Sequence, residues 1–309
     1  MKLTSTNEHS TGILFAAFSY ILWGFLPLYW KVLQHVPAWE LLAHRILWSL
    51  VFMLVILLAM KKFSTIPLEL KTLFANKKRA IGLTLASICI TLNWGLYIWA
   101  VNTNNIVEAS LGYYINPLVS ILLGIIVLKE KLSRWQMISI IIASVGVLIL
   151  TVNFGSFPWI AITLAFSFGF YGLLKKMVQL GAVMGLTIET LLLAPCALLF
   201  LSVLQTGGSA SFGMDVMTTV FLIGAGVATA IPLLLFASGA KRIPLSMVGL
   251  LQYLAPTISL LLGVFLYNEP FTKIHLIAFM CIWTALTIYT LTVTKGLRMK
   301  SRDGVRFTS

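Results

Sequence analysis

The chain has 309 residues, of which 59% are hydrophobic and 10% charged, with a mean hydropathy of +0.97 and a net charge of +13. A soluble domain carries about 25% charged residues, so this much apolar surface needs lipid around it. The positive charge forms no basic stripe interleaved with aromatics, which argues against nucleic acid as a partner; Cys89, Cys196 and Cys281 sit in apolar runs without metal-ligand spacing, so neither metal nor disulfide is expected.

A bilayer crossing takes about 20 mostly apolar residues. Ten stretches qualify, at 12–32, 38–60, 80–101, 107–128, 134–152, 157–175, 182–204, 215–239, 245–267 and 272–293. The first continues through Trp23 and Pro27 without a small-residue cleavage site, so it reads as a span and not a leader. With the N-terminus in the cytoplasm, 19 of the 22 lysines and arginines fall on that side. Lys31 and Lys273 fall outside, and Arg45 alone lies within a span. Such an imbalance orients a membrane chain and requires an even number of spans to keep both ends inside.

The fourth span states a pattern that the ninth repeats. YINPLVSILLGIIVLKE (114–130) aligns without a gap on YLAPTISLLLGVFLYNE (253–269) at an offset of 139, keeping Tyr114/Tyr253, Pro117/Pro256, Ser120/Ser259, Gly124/Gly263 and Glu130/Glu269. Weaker echoes pair Ser19, Trp23 and Gly24 with Ser167, Tyr171 and Gly172, and Glu40 with Glu189. Five spans separate the copies, so they run in opposite directions across the membrane. The expectation is an all-α membrane protein of ten helices, built as two inverted five-helix repeats (12–152 and 157–293) with a basic, irregular cytoplasmic tail (294–309). Inverted halves let one packing open outward and its counterpart open inward.

Together WGFLPLYWK (23–31), WELLAHRILWSLVF (39–52), NWGLYIWAVN (93–102) and EASLGYYINPL (108–118) resemble the RarD branch of the EamA-type drug/metabolite transporters. The resemblance spans about 10 to 295 and implies a ten-helix inner-membrane carrier of small molecules, acting in export or permeation, without a cofactor. The second half departs from the first: Ala255 stands where Asn116 does, and span 7 has no basic counterpart of Arg45.

A charged side chain within a span is costly and points inward, to a partner or a wet cavity. Arg45 either forks onto an anionic substrate group, pairs with Glu40, or snorkels to outer headgroups. His44 lies one turn from Glu40, a pair able to gate or to carry a proton. Glu189 is the coupling candidate of the second half. Asn93 and Tyr97 share a face of span 3, and Tyr113, Asn116, Pro117 and Ser120 share one of span 4. Pro117 and Pro256 should kink their helices and free the carbonyls of Tyr113 and Gln252 for ligand contact, beside Tyr253. Trp23 and Trp94 are deep enough to stack on cargo, whereas Trp30 and Trp39 read as belt anchors. Glu108, Glu130 and Glu269 stand at span boundaries, where loop and cap roles are expected.

No GxxxxGK[ST] is present, so the chain does not hydrolyse ATP by that route. HExxH and GxSxG are absent as well, which disfavours an intramembrane enzyme. What is left is a secondary carrier, with a passive channel or a non-transporting scaffold as alternatives, and an undefined oligomeric state. Tags at both ends should be reached only from the cytoplasmic face in intact cells; ends on opposite faces would break the even count.

Overall fold

The computed structural model describes the backbone of residues 2–103, 105–267 and 272–306, and the side chains of 8–97, 99–100, 103, 105, 108–266 and 272–292. Ten helices are long and apolar enough to cross a membrane, with cores at Glu8–Val32, Ala38–Ala59, Lys77–Tyr97, Glu108–Ile126, Arg134–Asn153, Trp159–Val178, Ala182–Thr206, Val216–Arg242, Leu245–Leu266 and Lys273–Thr292. Each expected span is therefore present within a few residues. In chain order the helices are α1 (Lys2–Val32), α2 (Ala38–Ala59), α3 (Ile66–Ala75), α4 (Lys77–Asn102), α5 (Ile106–Ile126), α6 (Arg134–Asn153), α7 (Trp159–Val178), α8 (Ala182–Thr206), α9 (Val216–Arg242), α10 (Leu245–Leu251), α11 (Leu254–Tyr267) and α12 (Lys273–Arg306).

Three features differ from expectation. The α2–α4 connection holds the short helix α3, started by Pro67 in its first turn, where proline costs no hydrogen bond. The ninth span is two helices, α10 and α11, broken at Gln252–Tyr253. Pro256 has no N–H for the Gln252 carbonyl, which instead accepts from Ala255 N at 3.2 Å. That carbonyl is thus already satisfied, whereas α5 runs unbroken through Pro117. Finally, α12 stays helical to Arg306, the Lys, Leu, Arg and Met of its extension being good helix formers. Glu269 lies outside the described residues.

The packing repeats itself. Helix α1 lies against α9 and α11 of the second half, and its counterpart α7 lies against α4 and α5 of the first. Each half thus lends its opening helix to the other. Across the pseudo-two-fold axis α2 meets α8, α5 meets α10 and α6 meets α12. Membrane helices gain little from hydrophobic exclusion and pack by close backbone approach at small residues. A Cβ on Gly226 would stand 2.3 Å from the carbonyl carbon of Trp48, and one on Gly249 2.7 Å from the Pro117 oxygen. Large side chains such as Leu199, Phe265 and Val152 point outward, as a lipid-facing surface requires.

Gly226→Ala should destabilise the α2–α9 contact by about 1–3 kcal/mol, read as a lower melting midpoint in detergent. Gly181→Ala, with open space around its Cβ position, should leave that midpoint unchanged; equal behaviour of the two variants would refute the close approach.

Candidate functional site

Where α2, α4, α7, α8 and α9 converge they enclose a cavity of about 10 Å³, room for roughly one water. Its wall includes Ser49, Trp94, Tyr171, Glu189, Thr190 and Thr229 among the apolar side chains of Ile46, Ile90, Leu186, Leu193 and Leu233. Of the residues singled out in the sequence, Trp94 and Glu189 line it directly. Arg45 stands beside it, donating from Nε to Thr229 Oγ1 at 3.0 Å. The threonine hydroxyl donates in turn to Ala225 O at 2.7 Å, which leaves its oxygen free to accept. The Arg45 guanidinium packs on the indoles of Trp30 and Trp94, 4.7 and 4.9 Å from the ring centres. The phenols of Tyr97 and Tyr113 lie within electrostatic reach of it and touch each other edge to face at 5.8 Å.

Glu189 is 2% exposed and does not stand alone. Lys175 Nζ donates to its Oε1 at 2.8 Å, and Tyr171 OH to its Oε2 at 3.3 Å. Lys175, counted above among the cytoplasmic charges, is 6% exposed within the bundle. Its position one turn from the end of α7 conceals that the side chain turns inward to a carboxylate on α8. Arg45 is therefore not the sole embedded cation. Lys176 also turns inward, to the carbonyls of Ala240 and Ile243 at the end of α9. It stands 4.0 Å from Glu130.

Glu40 does not pair with Arg45. Its carboxylate accepts from Ser211 N at 2.6 Å, Ser211 Oγ at 2.9 Å and Phe212 N at 3.1 Å, tying the start of α2 to the α8–α9 loop. His44 Nε2 is 3.9 Å from Glu40 Oε1, an ion-pair distance but too long for a hydrogen bond, and the ring stacks on Phe212 at 4.9 Å. Beside this latch Asp215 caps α9 through Thr218 N at 2.8 Å. Hydrogen bonds from Thr218 hold the Asp215 carboxyl below its ordinary value. At the opposite end Glu130 accepts from Leu245 N at 2.6 Å and from Ser246 N and Oγ at 2.9 and 2.7 Å. Glu108 accepts from Ile160 N at 2.8 Å. Both are the cap roles expected of boundary carboxylates.

The remaining candidates lie elsewhere. Asn93 donates to Leu164 O at 2.8 Å and Ser167 Oγ at 3.0 Å, joining α4 to α7. Trp23 belongs to an aromatic cluster with Tyr20, Phe168 and Phe236, at centroid distances of 5.4, 5.8 and 5.7 Å. Asn116, Gln252 and Tyr253 are buried at and beside the α5–α10 seam; Asn116 Oδ1, Gln252 Oε1 and the Tyr253 hydroxyl have no partner among the described residues.

The chain's relatives agree with this architecture. The model of the EamA-like transporter family matches residues 10–152 and again 157–291, one copy per half. The chain belongs to the EamA-like transporter family. Within that family it falls in the RarD branch, being 40% identical over 292 residues to protein RarD of Escherichia coli, across 94% of this chain and 97% of the relative. It is 50% identical over 294 residues to YojE of Bacillus subtilis, an uncharacterised transporter, across 94% and 97% of the two chains. A crystal structure only 19% identical superposes with a TM-score of 0.69 over 92% of this chain and 98% of its own, which shows the shared fold. This EamA-family chain is thus a multi-pass membrane transporter of small molecules.

Sequence reasoning missed four participants. Lys175 looks like a loop charge and Trp30 like a belt aromatic. Tyr171 was visible only as the repeat partner of Trp23. Thr229 was the hardest, a lone threonine in an apolar span; its signal is that a span hydroxyl must bond its own helix or a neighbour. Replacing Glu189 by Leu or Lys175 by Met alone strands a buried charge and should cost about 3–5 kcal/mol, while the double replacement should recover most of that stability. Melting of the three variants in detergent checks this; an additive double variant would mean the two side chains do not pair.

Proposed function

We propose that this transporter is a secondary carrier of small organic molecules, working by alternating access across the cell membrane with both chain ends in the cytoplasm. The supporting observation is a small cavity where helices of both halves meet, with a hydrogen-bonded contact between the halves at each end of the bundle. At one end Glu40 of α2 holds the α8–α9 loop. At the other Glu130, just after α5, holds the start of α10. Rocking the halves about the shared axis separates one latch while keeping the other, which is the motion inverted repeats permit. A passive channel calls for a continuous wet route, and the closed cavity favours a carrier over it. We assign export as the direction, following the family resemblance, and no catalytic activity.

Glu189 is the proposed coupling group. Glu189 lines the cavity, and its carboxylate is held by Lys175 and Tyr171. Protonation of such a group changes the charge of the chamber by one unit, which can be linked to occupancy. Proteoliposomes loaded with a small-molecule extract of bacterial cells should release a defined subset, read by mass spectrometry, at rates that saturate with loading. Strict proportionality to loading would indicate a channel. In the same vesicles a pH gradient should accelerate release, and Glu189→Gln should lose that acceleration while still inserting; an unaltered gradient response would remove Glu189 from coupling.

A further inference from the structure

Resting on the carrier reading above, we infer that the cargo is a small organic acid, its carboxylate seated on Arg45 and its apolar body in the central cavity. The deep charges of the bundle are satisfied unequally. Lys175 and Glu189 neutralise each other at 2.8 Å. Glu40 and Glu108 are met by hydrogen-bond donors at loop and helix starts. Arg45 differs. Its contacts are one threonine hydroxyl, two indoles and two phenols, all uncharged. Among the described residues no carboxylate lies within 4.0 Å of it. A full positive charge placed two helical turns into a span without an opposite charge is half of an ion pair.

The geometry also says how the other half docks. Nε is taken by Thr229 and the guanidinium packs on Trp30 and Trp94. The Nη1 and Nη2 groups have no acceptor among the described residues. That edge presents two parallel N–H donors, matching the two oxygens of a carboxylate. The nearby Tyr97 and Tyr113 hydroxyls offer further donors for the remaining lone pairs. One unpaired positive charge calls for one negative charge, which favours a carboxylate over a phosphate of about −1.5 to −2. Trp94 and Thr229 contact Arg45 and also line the cavity. A carboxylate at Arg45 therefore leads its attached body toward Ile46, Ile90, Leu193 and Leu233. That lining suits an apolar or aromatic body, and the cavity must widen when the halves rock apart.

The release assay from proteoliposomes decides it. Among the molecules the wild type releases, carboxylic acids should dominate. Arg45→Lys, which keeps the charge but loses the fork, should slow them at least tenfold, and Arg45→Gln should abolish their release. If neither Arg45 variant inserts, the Tyr97→Phe, Tyr113→Phe double variant should still raise the half-saturating acid concentration severalfold. A released subset made of cations and neutral molecules would overturn the inference and leave the carrier standing. Release of nothing would remove the carrier reading itself. Native mass spectrometry separates a lipid source of the anion. A phospholipid bound to the wild type and lost in Arg45→Gln, with acid release unchanged, would assign Arg45 to a headgroup and overturn the proposal.

Discussion

Lipid supplies no hydrogen-bond partner, so each charge and each freed backbone group in this chain must be answered from within the bundle. That constraint explains features a water-soluble fold would not need. Lys175 reaches into the bundle for Glu189, and Lys176 for the last carbonyls of α9. Where Pro256 removes a helical donor, the chain tightens into a turn at Gln252–Tyr253 and splits the ninth span. Boundary carboxylates are spent on the exposed N–H groups at helix and loop starts, Glu108 on α7 and Glu130 on α10. The same demand draws the helices together at glycines, because backbone proximity replaces hydrophobic exclusion as the source of contact.

On this common scaffold the two halves carry different chemistry. Glu40 and Glu189 echo each other weakly in the sequence, yet Glu40 holds a loop at one end while Glu189 holds a lysine beside the cavity. Trp23 and Tyr171 do the same: the indole packs in an aromatic cluster, and the phenol donates to Glu189. Arg45 has no basic counterpart in α8. The scaffold is symmetric in its packing, and the side chains around the cavity are not. The gapless repeat of 114–130 in 253–269 falls on α5 and α11, and each packs against the other half, α5 on α7 and α10, α11 on α1.

What could be read from the sequence followed from how local its signal is. Ten spans, their alternation and the duplicated halves were legible because hydropathy over about 20 residues and a fixed offset are properties of contiguous chain. That Arg45 lies within a span was legible for the same reason, though the sequence left its direction open between the bundle and the outer headgroups. Its partners were not. Pairing Arg45 with Glu40 seemed natural at five residues apart, but a helix turns about 100° per residue, and the two side chains diverge, Glu40 to the α8–α9 loop and Arg45 to Thr229 of α9. Lys175 sits one turn from water in sequence and inside the bundle in space, because a long flexible stem follows the nearest carboxylate. Thr229 and Trp30 acquire meaning only from Arg45 on another helix. Asn93 shows the converse: its depth was read correctly, and its use proved to be joining α4 to α7.

The placement of the polar contacts bears on how such a molecule can move. The Glu40 and Glu130 latches stand at the ends of helices and consist of hydrogen bonds between a carboxylate and backbone or serine donors. Breaking them where water can enter exchanges protein partners for water, at a net cost of about 1.5–3 kcal/mol per charge-assisted bond. The Lys175–Glu189 pair and the Arg45 cluster have no such exchange available while the cavity is dry. Separating Lys175 from Glu189 by a rigid movement would leave two bare charges in a medium where isolation costs several kcal/mol. Under the proposed carrier reading, a rocking motion of low energy runs through the end latches and keeps Lys175 and Glu189 paired. For Lys175 and Glu189 the partner is built in. For Arg45, under the inference above, it is the carboxylate of the cargo, so that the state of the cavity depends on what it holds.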